Sequence, residues 1–155
     1  MQRLILFRHA KAERTSPTGE DFDRPLTTGG REEARLTGKA LADFEYKPDL
    51  ALVSAARRTI QTWEAAAVSF PQARVDIIRN LFNADADTLM QTAETNGERA
   101  ETLMLVAHNP GVEELATRIG GGRYSFPTGA AAVFELVEPG QYKLLGMFGG
   151  SSGPG

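Results

Sequence analysis

Short apolar runs alternate with amphipathic stretches along this chain, and that alternation restricts its fold more than any other feature. Leu4 to Phe7, Leu50 to Val53 and Thr102 to Ala107 read as buried strands, with Val75 to Ile78 a weaker one. The segments between them carry the helical period. A helix is predicted from Arg31 to about Phe44, after a Thr27 cap, burying Ala34, Leu41 and Phe44. Another runs from Arg57 to about Val68 with Ile60, Trp63 and Ala67 on one face, and a third from Asp85 to Thr95 with Leu89, Met90 and Ala93 inward. Asn109 and Pro110 read as the cap and first residue of a fourth. Residues 130–137 and 142–148 predict a terminal hairpin. The pattern is that of an α/β protein with three α/β/α layers and a mostly parallel central sheet.

Composition narrows the possible roles. Net charge is -3 with no basic block, which argues against nucleic acid and against a polybasic membrane patch. There is no cysteine, so thiolate chemistry and thiolate metal sites are excluded. No apolar run approaches the roughly 18 residues that span a bilayer. The first strand begins near Arg3, leaving no room ahead of it for a signal peptide. The expectation is a cytoplasmic, monomeric protein. Residues 1–148 would form one domain and 149–155 a flexible Gly/Ser/Pro tail.

The strand ends carry the chemistry. One run stops at Arg8-His9, a second at Ser54-Ala55-Ala56-Arg57-Arg58, and a third at His108-Asn109. Ligands of open α/β sheets collect beyond the carboxyl ends of parallel strands. If these strands are parallel neighbours, both histidines of the chain and two or three arginines share a pocket. Guanidinium groups bind phosphate oxygens in a bidentate fork. Their charge also lowers the pKa of a nearby histidine, keeping the imidazole neutral and nucleophilic. The pocket therefore favours phosphoryl transfer.

Four segments then resemble the histidine phosphatase superfamily, which has the phosphoglycerate mutase-like fold, and within it the small SixA-type phosphohistidine phosphatases. They are Leu6-Phe7-Arg8-His9-Ala10-Lys11-Ala12-Glu13; Asp23-Arg24-Pro25-Leu26-Thr27 with Gly30; Ser54-Ala55-Ala56-Arg57-Arg58-Thr59-Ile60-Gln61-Thr62; and Val106-Ala107-His108-Asn109-Pro110-Gly111. The resemblance implies that His9 is the phosphorylated nucleophile and that Arg8 binds the phosphoryl group. Its register before Gln61-Thr62 selects Arg58 rather than Arg57, and His108 becomes a donor to a phosphoryl oxygen. Asn109 either lines the pocket or only caps its helix. No cofactor is implied, and no carboxylate or cysteine stands at metal-ligand spacing from either histidine. Ala10 replaces the family's usual glycine.

The chain is too short for the family's large lid insertion, which carries a general acid. Asp85, Asp87 and Glu113 are poor substitutes for it. Without strong acid catalysis, worth roughly 10²–10⁴-fold, an alkoxide leaves slowly, whereas phosphohistidine releases neutral imidazole. The expected substrate is therefore phosphohistidine on a signalling protein. A small phosphate ester and a non-catalytic phospho-ligand module are the alternatives. Read apart from the family, Arg58 could be a helix-start residue paired with Glu13, Asp23 or another acid, and Arg24 and Thr27 could be structural. Lys11 and Arg14 either steer a phosphorylated partner or are solvated.

Overall fold

In β1 (Arg3–Arg8) successive side chains point to opposite faces, and both faces are apolar. Leu4 and Leu6 enter one core cluster, Ile5 and Phe7 the other. A strand sealed on both sides belongs inside a sheet flanked by helices. The computed structural model, which describes residues 1–150, has that arrangement. Beside β1 stand β2 (Leu50–Ser54), β3 (Arg74–Ile78), β4 (Thr102–Ala107), β5 (Ala130–Glu138) and β6 (Gln141–Gly149), in the order β3-β2-β4-β1-β5-β6. The first four strands are mutually parallel, β5 joins β1 antiparallel, and β6 pairs antiparallel with β5 at the edge of the sheet.

Helices α1 (Thr28–Asp43) and α2 (Arg57–Ala66) cover the Ile5/Phe7 face through Leu41, Trp63 and Ala66. Helices α3 (Ala86–Thr95) and α4 (Gly111–Gly120) cover the Leu4/Leu6 face through Leu89, Ala93, Val112 and Leu115. Each fully buried Leu or Phe of these clusters contributes about 1.5–3 kcal/mol. The result is the expected α/β/α sandwich with a mostly parallel sheet and a phosphoglycerate mutase-like topology. No large insertion interrupts it among the described residues.

Thr27 caps α1 by accepting from Gly30 N–H at 2.8 Å. Gly30 is required there because a Cβ would lie 2.1 Å from the Lys11 carbonyl oxygen. That contact presses the exit of β1 against the start of α1.

Three local expectations need correction. Phe44 is not buried: α1 stops at Asp43, and left-handed Glu45 (φ 62°) turns the chain, leaving Phe44 64% exposed against Tyr46 and Phe148. Helix α4 starts one residue later than expected, at Gly111 with Pro110 in the cap position, although Asn109 Oδ1 still accepts from Glu113 N–H at 3.3 Å in the first turn. The hairpin pairing continues through Gly149, so the tail cannot start there. The rest of the expected tail, from 151 onward, lies outside the described residues.

Candidate active site

Strand order builds the site. β4 lies between β1 and β2, with Arg8 opposite Ala107 and Val53 opposite Val106, so three carboxyl ends emerge side by side. His9 follows β1, His108 follows β4, and Arg58 sits in the first turn of α2 just beyond β2. The rings of His9 and His108 have centroids 5.4 Å apart. Arg8, His9, Arg58 and His108 thus share one pocket, as the strand-end pattern predicts. Asn109 joins them through Phe126, whose carbonyl accepts from both Arg8 and Asn109.

Each side chain has a defined support. His9 Nδ1 lies 2.7 Å from the Ala10 carbonyl oxygen. A carbonyl only accepts, so Nδ1 carries the proton and Nε2 keeps its lone pair. Arg8 donates from Nη1 to the Phe126 carbonyl at 2.7 Å. Arg58 donates to the Asp21 backbone oxygen at 2.8 Å and to its carboxylate at 3.1 Å. Thr62 Oγ1 accepts from Ala10 N–H and donates to the Arg58 carbonyl, tying α2 to the exit of β1. His108 Nε2 lies 2.8 Å from Ser54 Oγ.

Unmet hydrogen bonds mark the pocket. Among the described residues, three buried side-chain polar atoms lack a partner: Arg8 Nε, Arg58 Nε and His108 Nδ1. All three belong to this one cluster.

The electrostatics match a neutral nucleophile among cations. Burial pushes His9 down to about 4, with Arg58, Arg8 and Arg24 adding to the shift and the Ala10 carbonyl opposing it. His108 falls to about 3 through burial, then through His9 and Arg58. Burial also lowers both arginines, against Glu113 and Glu33 for Arg8 and against Asp21 for Arg58. A cation in the first turn of α2 opposes the helix dipole, so Arg58 needs a carboxylate partner.

That partner is Asp21, not Glu13 or Asp23. The short 3₁₀ turn Asp21–Asp23 directs Asp21 to Arg58 and Arg24, while Asp23 accepts from the Thr18 hydroxyl. Burial alone would raise the Asp21 carboxyl, but the two arginines outweigh it and hold it low. Arg24 also donates to the Glu13 carbonyl at 2.8 Å, closing the loop in the structural role weighed for it.

The acids considered from sequence separate. Asp85 caps α3 through Thr88 N–H, and Asp87 pairs with Arg118 at 2.7 Å. Glu113 accepts from Asn109 Nδ2, which also donates to the Phe126 carbonyl held by Arg8. Glu33 was not among the sequence candidates. It is half-buried, its pKa is raised by burial, and it accepts from Lys11 N–H at 3.3 Å on the Arg8 side of the site. Its position on α1, six residues after the Thr27 cap, was the available signal. Phe82 is a second unforeseen neighbour: it sets its ring edge-on to His108, with Arg58 over its face at 5.8 Å.

The arrangement can hold a tetrahedral oxyanion and offer it an imidazole lone pair. Comparison with known proteins points the same way. Residues 4–119 match the model of the histidine phosphatase superfamily, branch 1. An uncharacterized chloroplastic protein of Arabidopsis thaliana is 30% identical, over 94% of this chain and 77% of that one. The provisionally named phosphohistidine phosphatase SixA of Agrobacterium tumefaciens superposes with a TM-score of 0.83 at 32% identity, covering 94% and 97% of the two chains. A protein histidine phosphatase SixA complexed with tungstate shares the fold (TM-score 0.83, 24% identity, 95% and 96% covered). This chain belongs to the histidine phosphatase superfamily and is a phosphatase of the SixA type.

Proposed function

We propose that this phosphatase works through a phosphohistidine at His9 and that its substrate is phosphohistidine on a protein. One observation carries the reading: the three buried nitrogens without partners belong to Arg8, Arg58 and His108, the residues clustered with His9. The Nδ1 of His9 is engaged by the Ala10 carbonyl, and its Nε2 makes no hydrogen bond among the described residues. In the first step Nε2 attacks phosphorus, the P–N bond to His9 forms, and the bond to the leaving group breaks. Arg8, Arg58 and His108 hold the phosphoryl oxygens as charge shifts among them. Water then attacks phosphorus, releasing inorganic phosphate and restoring His9. Asn109 lines the rim and orients the Phe126 carbonyl that anchors Arg8.

A phosphohistidine protonated on its other ring nitrogen leaves as neutral imidazole and needs no strong acid. The name borne by the Agrobacterium tumefaciens relative, at 32% identity, supports the same substrate class. One observation favours a second reading. Glu33, raised by burial beside Arg8, would suit protonation of an alkoxide from a small phosphate monoester.

Rates on a phosphohistidine-bearing protein, set against a panel of sugar and nucleotide phosphates, separate the two. Faster phosphohistidine hydrolysis is the expected outcome, and a strong preference for esters overturns the substrate. Rapid quenching with labelled substrate should leave acid-labile phosphate on His9.

A further inference from the structure

We propose that Ser54 fixes the proton of His108 on Nδ1, by donating its hydroxyl to Nε2, and so makes Nδ1–H the donor offered to a bound oxyanion. Ser54 is thereby a positioning residue acting through His108. The inference rests on the reading of His108 as an oxyanion donor, and its first test does not depend on turnover.

The assignment follows from counting protons. A serine hydroxyl has one hydrogen to give and two lone pairs to offer. Ser54 Oγ already accepts from Ala56 N–H at 3.3 Å, and His108 Nε2 lies 2.8 Å away. Among the described residues, Nε2 is the acceptor within reach of that hydroxyl. Ser54 is fully buried and His108 is 2% exposed, so solvent does not substitute. With the proton on Nε2, Oγ would accept twice and leave its own hydrogen buried without a partner. The same choice would turn a bare lone pair of Nδ1 toward an anion. With the proton on Nδ1, every hydrogen near Ser54 is satisfied, and His108 Nδ1–H joins Arg8 Nε and Arg58 Nε as a donor without a partner among the described residues.

Ser54 is held where this requires. It closes β2 in register with Ile78 of β3, and its carbonyl accepts from the Thr59 hydroxyl at 2.8 Å. His108 stays neutral far below physiological pH, since burial takes it to about 3. Its ability to donate at Nδ1 is therefore a matter of tautomer, not charge. The neighbouring ring makes the contrast sharper. His9 carries its proton on Nδ1 too, but spends it on the Ala10 carbonyl and presents a lone pair. One tautomer, anchored at opposite nitrogens, supplies a nucleophile from one ring and a donor from the other.

Long-range ¹H–¹⁵N spectra of the imidazoles in the full chain test the assignment directly. Wild type should show the His108 proton on Nδ1, and Ser54→Ala should move the population toward Nε2–H. A wild-type proton on Nε2, or an unchanged tautomer in Ser54→Ala, overturns the proposal even in an active phosphatase. Kinetics supply the second test. Ser54→Ala should lower kcat between about tenfold and a hundredfold and weaken inorganic phosphate binding, with the acidic limb of the pH profile unmoved. In a His108→Ala background the same change should have almost no effect. An equal loss in both backgrounds means that Ser54 acts on packing alone and sinks the coupling. Inactivity of the wild type toward every phosphorylated compound would refute the catalytic reading, while the tautomer result would stand or fall by itself.

Discussion

Two concave regions of this molecule carry an arginine bonded to an aspartate, and they behave in opposite ways. A groove of about 570 Å³ between α3, α4 and the β5–β6 hairpin is lined by Met90, Glu94, Arg118 and Tyr142. Its Arg118 meets Asp87 at 2.7 Å with both side chains open to water. At the strand ends Arg58 meets Asp21 at 3.1 Å, but its side chain is only 6% exposed and its Nε has no partner. A buried polar atom left unmatched costs about 1–3 kcal/mol, whereas water satisfies the groove at almost no cost. Unmet donors, more than volume, set the strand ends apart from the groove.

The widest separation expected between the two regions comes from the nucleophile. His9→Ala should reduce turnover roughly 10⁴-fold or more and abolish the trapped phosphoenzyme; label retained by that variant would break the assignment. Next comes the arginine pair. Arg58→Ala should lower kcat/KM about 10²–10³-fold, while Arg118→Ala should leave kinetics unchanged and shift stability by less than about 1 kcal/mol. Comparable kinetic losses in both would erase the contrast drawn above.

Titration offers a finer cut. The folded pKa values of His9 and His108 lie below 6.5, near 4 and 3, so the unfolded chain takes up protons first as pH falls. Their contribution to stability is complete above about pH 6.5 and is lost progressively toward pH 4 and then 3. The slope is at most about 1.4 kcal/mol per pH unit for each histidine. Denaturant midpoints measured across that range check the sign, and His9→Ala should reduce the slope between pH 6 and 4 by about half. In kcat/KM the acidic limb should fall near pH 4; a limb at 6.5 would mean that His9 is not held neutral. The smallest effect concerns a surface position: Phe44→Ser should cost under about 1 kcal/mol by thermal melting, as its exposure implies.

Much of this was legible in the residues because strands report their burial directly. Leu4 and Leu6 against Ile5 and Phe7 betrayed a strand covered on both faces, and abrupt polar ends at Arg8-His9, Arg58 and His108-Asn109 named the rim where ligands gather. Parallel neighbours then had to bring these ends together, and β1–β4–β2 do. What escaped was contact set by irregular backbone. Asp21 reaches Arg58 only because a 3₁₀ turn lies over the pocket, and Glu33 matters only because Gly30 lets the β1 exit lie against α1. Ser54 looked like a family marker, and its bond to a ring 54 positions away has no local signature. Phe44 was misjudged for a simpler reason: one residue decides where a helix ends, and periodicity does not register that.

The carbonyl of Phe126 anchors Arg8 across 118 positions of sequence. The pocket therefore cannot exist in any partly folded species that lacks β5 and the segment before it. Helices here draw on local contacts, but the sheet centre requires distant strands to meet, and such closures are slow. During refolding, helical signal should recover ahead of enzymatic activity, so activity would time the final closure of the sheet.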